Sequence, residues 1–368
     1  MRTQRGFTLI ELMVGMVVGL LTTLVIAQVL AVAEGQRRTA SVGASAQVNG
    51  AVALYGLQHD LQMAGYGISI VPAALGCPVR AAYNNVAPTA TPFPLVPVVI
   101  TANTTEGLPD TITLLSGTKT GPSVPALVTE DHPNAATSYV VQSSFSVSAG
   151  DLMVAVPGPA TATSWSAASN WCTLFSVSSL TATNIGNATA AGWNNNQPTL
   201  TPATGFLGAG NFQSYLVNLG SMTLRTYSIA STGTLLQVAD ITGSAPAPTP
   251  TPLEAYADIV NIKGFYGLDT NADGAVDSFT CQTPTTNAVW QQVVAVRIAV
   301  VARSGQYEKD KVTASNPTLN VPMLATSSPS CSANPVTLKV DQLGADWQNY
   351  RYRVYDTVVP LRNVVWGS

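Results

Sequence analysis

RGFTLIELMVGMVVGLL, residues 5–21, opens an apolar run that begins at Phe7, lasts to Ala33 and carries a single charge, Glu11. As a helix, a run of that length reaches across a hydrocarbon core of ~30 Å. Arg2 and Arg5 precede it with no acid, so the positive-inside rule holds the N-terminus in the cytoplasm and sends the rest of the chain outward. An ordinary secretory signal has a shorter apolar core followed by its cleavage site. Here the small residue stands ahead of the run, at Gly6-Phe7. An ionised carboxylate at membrane depth costs roughly 2.5–3.5 kcal/mol on insertion scales, so Glu11 calls for a partner.

GFTLIEL, residues 6–12, resembles the class III signal of type IV pilins and pseudopilins. The resemblance implies a membrane-embedded prepilin peptidase that cuts after Gly6 and methylates the new N-terminal Phe7. Glu11 then becomes the fifth residue of the mature chain. It also implies Glu11's partner, the cationic amine on Phe7 of a neighbouring subunit, an attraction of ~4 kcal/mol at an effective dielectric of 20. Glu11 would thus set the register in which helices dock. Gly15 and Gly19 form a G-x-x-x-G pair that permits close helix approach in lipid. Gln28 occupies the place where many major pilins have proline, which points away from a major fibre-forming subunit.

Beyond the membrane no proline occurs before Pro72, and Val42, Ala46, Val52, Leu57, Leu61 and Ala64 recur at roughly helical spacing. We expect one helix from Phe7 to Ala64, about 85 Å long at 1.5 Å per residue, with Gly65 as C-cap. Gly43, Gly50 and Gly56 each weaken it by ~1 kcal/mol, so residues 34–65 must be held by packing on the body. From Tyr66 the composition turns to Thr, Ser, Val, Ala, Pro and Gly, with short β-like runs such as PDTITLLSG, GDLMVAVPG, MTLRTYSI and GTLLQVA. VVAVRIAVVARS, residues 293–304, reads as the central strand against which the helix lies. Its Val294, Val296, Ile298, Val300 and Ala302 share one face, with Arg297 and Arg303 on the other. The fold class is therefore α+β, a long N-terminal transmembrane helix packed on a β-rich antiparallel domain, as in the lollipop plan of pilins. The proline-rich tract SAPAPTPTP, residues 244–252, reads as a stiff connector dividing the body into lobes 66–243 and 253–368.

LQHDLQMAGYG at 57–67 and YRYRVYDTVVPLRNVVW at 350–366 resemble the helix end and C-terminus of PilW-type minor pilins. The J-type minor pseudopilin of type II secretion shares much of that pattern. The resemblance implies an inner-membrane, single-pass protein with a periplasmic body that moves to the pilus or cell surface. Its partners would be prepilin peptidase, other minor and major pilins, and a tip adhesin where the body acts as a binding module.

Composition narrows the remaining chemistry. The 368 residues are 46% hydrophobic and 10% charged, which supports a large core beside the anchor. With 16 basic against 19 acidic residues, the chain lacks the phosphate-neutralising surface that nucleic-acid binding rests on. The strand YRYRVY is an isolated patch too small to change that. Cys77, Cys172, Cys281 and Cys331 are far apart and only 2 histidines accompany them, which speaks against zinc. In an exported protein they make two disulfides with three possible pairings. Cys77 with Cys172 and Cys281 with Cys331 is favoured, because each pair lies on one side of the proline tract. His59 reads as a solvated or packing residue of the helix and His132 as a loop residue. Neither has a nucleophile setting nearby, and no enzyme is expected.

DTNADGAVD, residues 269–277, resembles an EF-hand loop, with Asp269, Asn271, Asp273 and Asp277 supplying oxygens, Gly274 the turn and Ala275 a carbonyl. Thr280 stands where the bidentate Glu belongs, and the flanks read as strands rather than helices. We expect a calcium-clamped hairpin loop; an Asx-rich turn needing no metal is the alternative.

Overall fold

The computed structural model describes residues 8–68, 71–83, 92–119, 124–133, 136–158, 165–167, 169–188, 192–194, 206–207, 213–242, 252–327 and 329–365. One helix runs unbroken from Leu9 to Met63. Its span Leu9–Gly35 is apolar, long enough to cross a membrane, and unburied by any other part of the chain. The helix ends where expected: Ala64 caps it and Gly65 follows at φ +79°, a left-handed backbone that glycine adopts without a Cβ penalty. Asn363, from the far end of the chain, donates through Nδ2 to the carbonyls of Gln62, Met63 and Ala64, which have no acceptor role left inside the helix.

The body is β-rich. A five-stranded antiparallel sheet runs Leu253–Ala257, Leu235–Thr242, Met222–Ile229, Thr111–Gly117, Val98–Thr101. A four-stranded antiparallel sheet runs Ser278–Thr280, Ile259–Leu268, Val293–Arg303, Tyr352–Pro360. A six-stranded sheet runs Phe93–Pro94, Pro78–Arg80, Cys172–Ser176, Leu152–Val156, Ser214–Gly220, Ala126–Val128. It departs from the antiparallel expectation once, where Pro78–Arg80 pairs in parallel with Cys172–Ser176.

Val293–Arg303 is the inner strand the sequence predicts. Val296, Ile298, Val300 and Ala302 are fully buried on the side of the helix residues Ala53, Leu57 and Leu61. The opposite side is covered too: Ala299 and Val301 share a second cluster with Leu319, Val321, Val336 and Leu338. Arg297 remains tolerable there because it pairs with Asp356 on the neighbouring strand, Nη2 to Oδ2 at 2.5 Å.

The division into two lobes does not describe how the body is assembled. The tract 244–251 lies outside the described residues, but the strand before it, Leu235–Thr242, pairs directly with the strand after it, Leu253–Ala257. One hydrophobic cluster contains Leu114, Val154 and Leu224 from one side of the tract and Ile262, Tyr266 and Trp290 from the other. The tract joins neighbouring strands of one sheet, and the largest core cluster draws on both sides of it.

Gly50 and Gly56 have a tertiary reason that helix propensity alone does not reveal. A Cβ on Gly50 would run into the Tyr355 ring, and one on Gly56 into the Tyr256 hydroxyl. Each glycine is a seat for an aromatic side chain from the sheet. A larger residue must push the helix off the body, and overpacking typically costs 1–3 kcal/mol, more than the ~1 kcal/mol gained by removing a helical glycine. Gly50→Val is therefore expected to lower the stability of the detergent-solubilised chain in chemical unfolding. Equal or greater stability would mean that the Tyr355 ring does not need the seat.

Candidate functional site

Glu11, the residue expected to set docking, lies at the N-terminus of the long helix. Gly6 and Phe7 lie outside the described residues. Thr8 is the first described residue and the N-cap: its Oγ1 accepts from the Glu11 backbone N–H at 3.3 Å. Glu11 answers by accepting at Oε2 from the Thr8 backbone N–H and hydroxyl, each at 2.9 Å. This is a capping box. Glu11 thus has a local partner as well as the intermolecular one the resemblance implies, and its Oε1 accepts no hydrogen bond among the described residues. The pattern Thr8-x-x-Glu11 is also legible in the sequence as a helix start, a role that the membrane cost of the carboxylate overshadows. A Cβ added at Gly15 or Gly19 would meet nothing within 4 Å, so their side of the helix is open along its axis.

At the other end, the helix is clamped by a charged network that sequence reading missed. Asp60 accepts from Arg225 Nη1 at 2.7 Å and from the Tyr227 hydroxyl. Arg225 also forks onto Asp240, Nε to Oδ1 at 2.9 Å and Nη2 to Oδ2 at 2.7 Å. Such charge-assisted, forked contacts are the stronger class of hydrogen bond. Arg225 lies opposite Asp240 on adjacent strands, so the sheet register presents a prepared guanidinium to the helix. Burial alone would raise the Asp60 carboxyl, but hydrogen bonds from Tyr227 and Arg225 and the guanidinium charge outweigh it, and the net shift is downward. His59, beside it, is exposed and 3.4 Å from Asp60 through Nδ1.

His132 lies in a loop, as expected, but a buried one. It is buried, its ring stacks on Tyr139 with centroids 3.8 Å apart, and Phe206 and Phe175 complete the aromatic cluster around Tyr139. Desolvation pushes its pKa down, so the neutral ring suits the site. The proline after it and the polar letters before it concealed a core position created by distant strands.

The cysteines pair as favoured. Cys77–Cys172 has Cα atoms 5.9 Å apart and Cys281–Cys331 6.0 Å apart. The first ties the segment after the helix to the six-stranded sheet, and the second ties the strand Ser278–Thr280 to the region after Val321. By loop-closure entropy each contributes about 4–5 kcal/mol in the chain-entropy treatment.

The loop 269–277 joins two strands, as predicted, but its oxygens are turned to the loop itself. Asp269 accepts from the backbone N–H groups of Asp273 and Gly274, Asp273 from Ala275, and Asp277 from Thr270 N–H and hydroxyl at 2.7 Å each. Those Thr270 bonds hold the Asp277 carboxyl below its ordinary value. Asn271 donates through Nδ2 to the Asp273 and Asp277 carboxylates, and its Oδ1 accepts from the Asp273 N–H at 2.9 Å. Among the described residues no group of three or more His, Cys, Asp or Glu side chains is gathered to hold a metal ion. The loop closes through its own hydrogen bonds, with Asp269, Asp273 and Asp277 oxygens on one short turn. Asx turns satisfy the same letters, because Asp and Asn side chains bond the backbone N–H groups two residues on.

Comparison with known proteins adds two sequence matches. Residues 226–363 match the family described as Type IV Pilus-assembly protein W, and residues 1–27 match the prokaryotic N-terminal methylation motif. Among solved structures, a type IV-like pilin from Thermus thermophilus aligns over 86% of this chain and 96% of its own, with 10% identity and a TM-score of 0.37. No curated protein matches the chain. The methylation motif leads directly into the apolar helix long enough to cross a membrane. Residues 226–363 are similar to the PilW pilus-assembly family.

Two outcomes follow. Asp60→Asn should destabilise the body by about 1.5–3 kcal/mol, the worth of a hydrogen bond to a charged group. In the unsubstituted chain the stability from Asp60 is present above the ordinary carboxylate pKa of ~3.9 and is lost as pH falls through its lower folded value. Acid titration of unfolding in both proteins checks this: their difference should shrink below that pH. For the loop, millimolar calcium or chelator should leave the melting temperature unchanged, and a rise of several degrees with calcium would restore the metal reading.

Proposed function

We propose that this pilin is inserted with its N-terminus cytoplasmic, cut between Gly6 and Phe7, methylated on Phe7, and assembled with other minor pilins into the complex that primes or caps a type IV pilus. The methylation-motif match across residues 1–27 carries the processing step. The Glu11 geometry supports the docking step: one carboxylate oxygen closes the capping box, leaving the other to meet a cationic amine on an incoming helix. A carboxylate already fixed by its own helix start loses little rotamer freedom when it docks. The β-rich body faces the periplasm and then the outside, where the two disulfides are stable.

The helix supports assembly rather than catalysis. Its membrane part is apolar and uncovered, and the exposed stripe Val48, Val52, Tyr55 and Met63 continues along the part above the membrane, away from the buried Ala53, Leu57 and Leu61. Subunits of such shape gain stability by covering that face with neighbouring helices. The same N-terminal physics would serve a J-type pseudopilin of type II secretion, and a tip-binding module would use the body as a surface.

A clean deletion separates these. Loss of surface pili with normal secretion is expected; normal pili with exoproteins trapped in the periplasm would assign the chain to secretion, and no change in either would leave tip binding. Gly6→Ala should accumulate full-length precursor on immunoblots, and normal processing of that variant would overturn the cleavage site. Glu11→Ala should be processed yet fail to co-purify with other minor pilins.

A further inference from the structure

Lys263 is the one lysine whose side chain is wholly shut off from solvent among the described residues. It sits on the strand Ile259–Leu268, and its Nζ is 2.5 Å from Oδ1 of Asp110, whose side chain is equally inaccessible. Asp110 stands immediately before the strand Thr111–Gly117, so the contact bridges the four-stranded and five-stranded sheets. Nζ also donates to the Leu108 carbonyl at 3.2 Å. The carboxyl is held from both oxygens: Oδ1 accepts from the Asn103 N–H and Oδ2 from the Gly264 N–H, each at 3.1 Å.

Two opposite charges in a dry interior lose hydration that their attraction repays only in part. Moving one proton from Nζ to the carboxyl gives an uncharged amine and an uncharged acid without moving any heavy atom. Burial favours that form, since it pushes the Asp110 carboxyl upward. An amine held against a carboxylic acid, with two N–H groups aimed at the carboxyl oxygens, brings together the partners of acyl transfer to nitrogen, which needs Nζ to turn from Oδ1 onto Cγ.

We propose that Lys263 and Asp110 condense into an intramolecular amide that links the two sheets covalently. The Nζ lone pair forms a bond to Asp110 Cγ. Negative charge that develops on the carboxyl oxygens is met by the N–H groups of Asn103 and Gly264. The nitrogen sheds one proton to the departing hydroxyl, the C–O bond breaks, and one water leaves. Amine and acid thus give secondary amide and water, with no oxidant, reductant or activated donor. The product replaces two buried charges by a neutral amide, which costs far less to keep from water.

The test uses the full chain purified in detergent, with disulfides reduced and alkylated before trypsin digestion. The linked form yields one species in which the peptide containing Asp110 is joined to the peptide containing Lys263, lighter by one water than the two together, and trypsin does not cut after Lys263. Asp110→Asn should give the same linked species by releasing ammonia, and Lys263→Met should lose it. Recovery from the unsubstituted protein of a free Asp110 peptide, with full cleavage after Lys263, would overturn the proposal. That measurement needs no variant to fold, and it is independent of which pilus or secretion machinery the chain serves.

Discussion

The docking of residues 46–64 of the helix onto the body is the constraint on which everything else depends. A helix whose first half lives in lipid has no other hold on the aqueous domain. Ala53, Leu57, Leu61 and Ala64 are wholly buried against the sheets, Gly50 and Gly56 admit the Tyr355 and Tyr256 side chains, and Asp60 is gripped by Arg225 and Tyr227. Small residues bring the helix close, and the charged clamp fixes its rotation. Asn363 closes the last turn, so the far end of the chain is part of the same junction.

That junction couples the two ends of the protein mechanically. Whatever holds Glu11 and the apolar span in a membrane or a fibre transmits load along one uninterrupted helix to the sheets. The body meets it with cross-links between distant segments: Cys77–Cys172, Cys281–Cys331 and the buried contact of Lys263 with Asp110. Each adds a side-chain link between pieces of chain far apart in sequence.

The loop 269–277 and His132 show two side-chain settings that spacing along the chain does not reveal. The loop has most of the ligand spacing of a calcium site, yet the same Asp and Asn side chains find enough donors in their own backbone to close a hairpin. His132 looks like a loop residue because its neighbours in sequence are polar, yet Tyr139, Phe175 and Phe206 gather around it from elsewhere. In both cases the deciding partners are set by hydrogen bonds or packing that spacing cannot count.

By itself the sequence determined what depends on local patterns: the membrane span, the processing motif around Gly6 and Phe7, the helix to its end before Gly65 and the buried strand Val293–Arg303. Each rests on composition, periodicity, or order along the chain. Only the tertiary structure decided that the segments on either side of the proline tract meet in one sheet and share the largest core cluster, because strand pairing is a long-range choice with no period to read. Only it, too, decided why glycine sits at 50 and 56, and which acid Arg225 meets. Those answers belong to side chains arriving from roughly 165 to 305 residues away, and a helix pattern carries no record of what will lie against it.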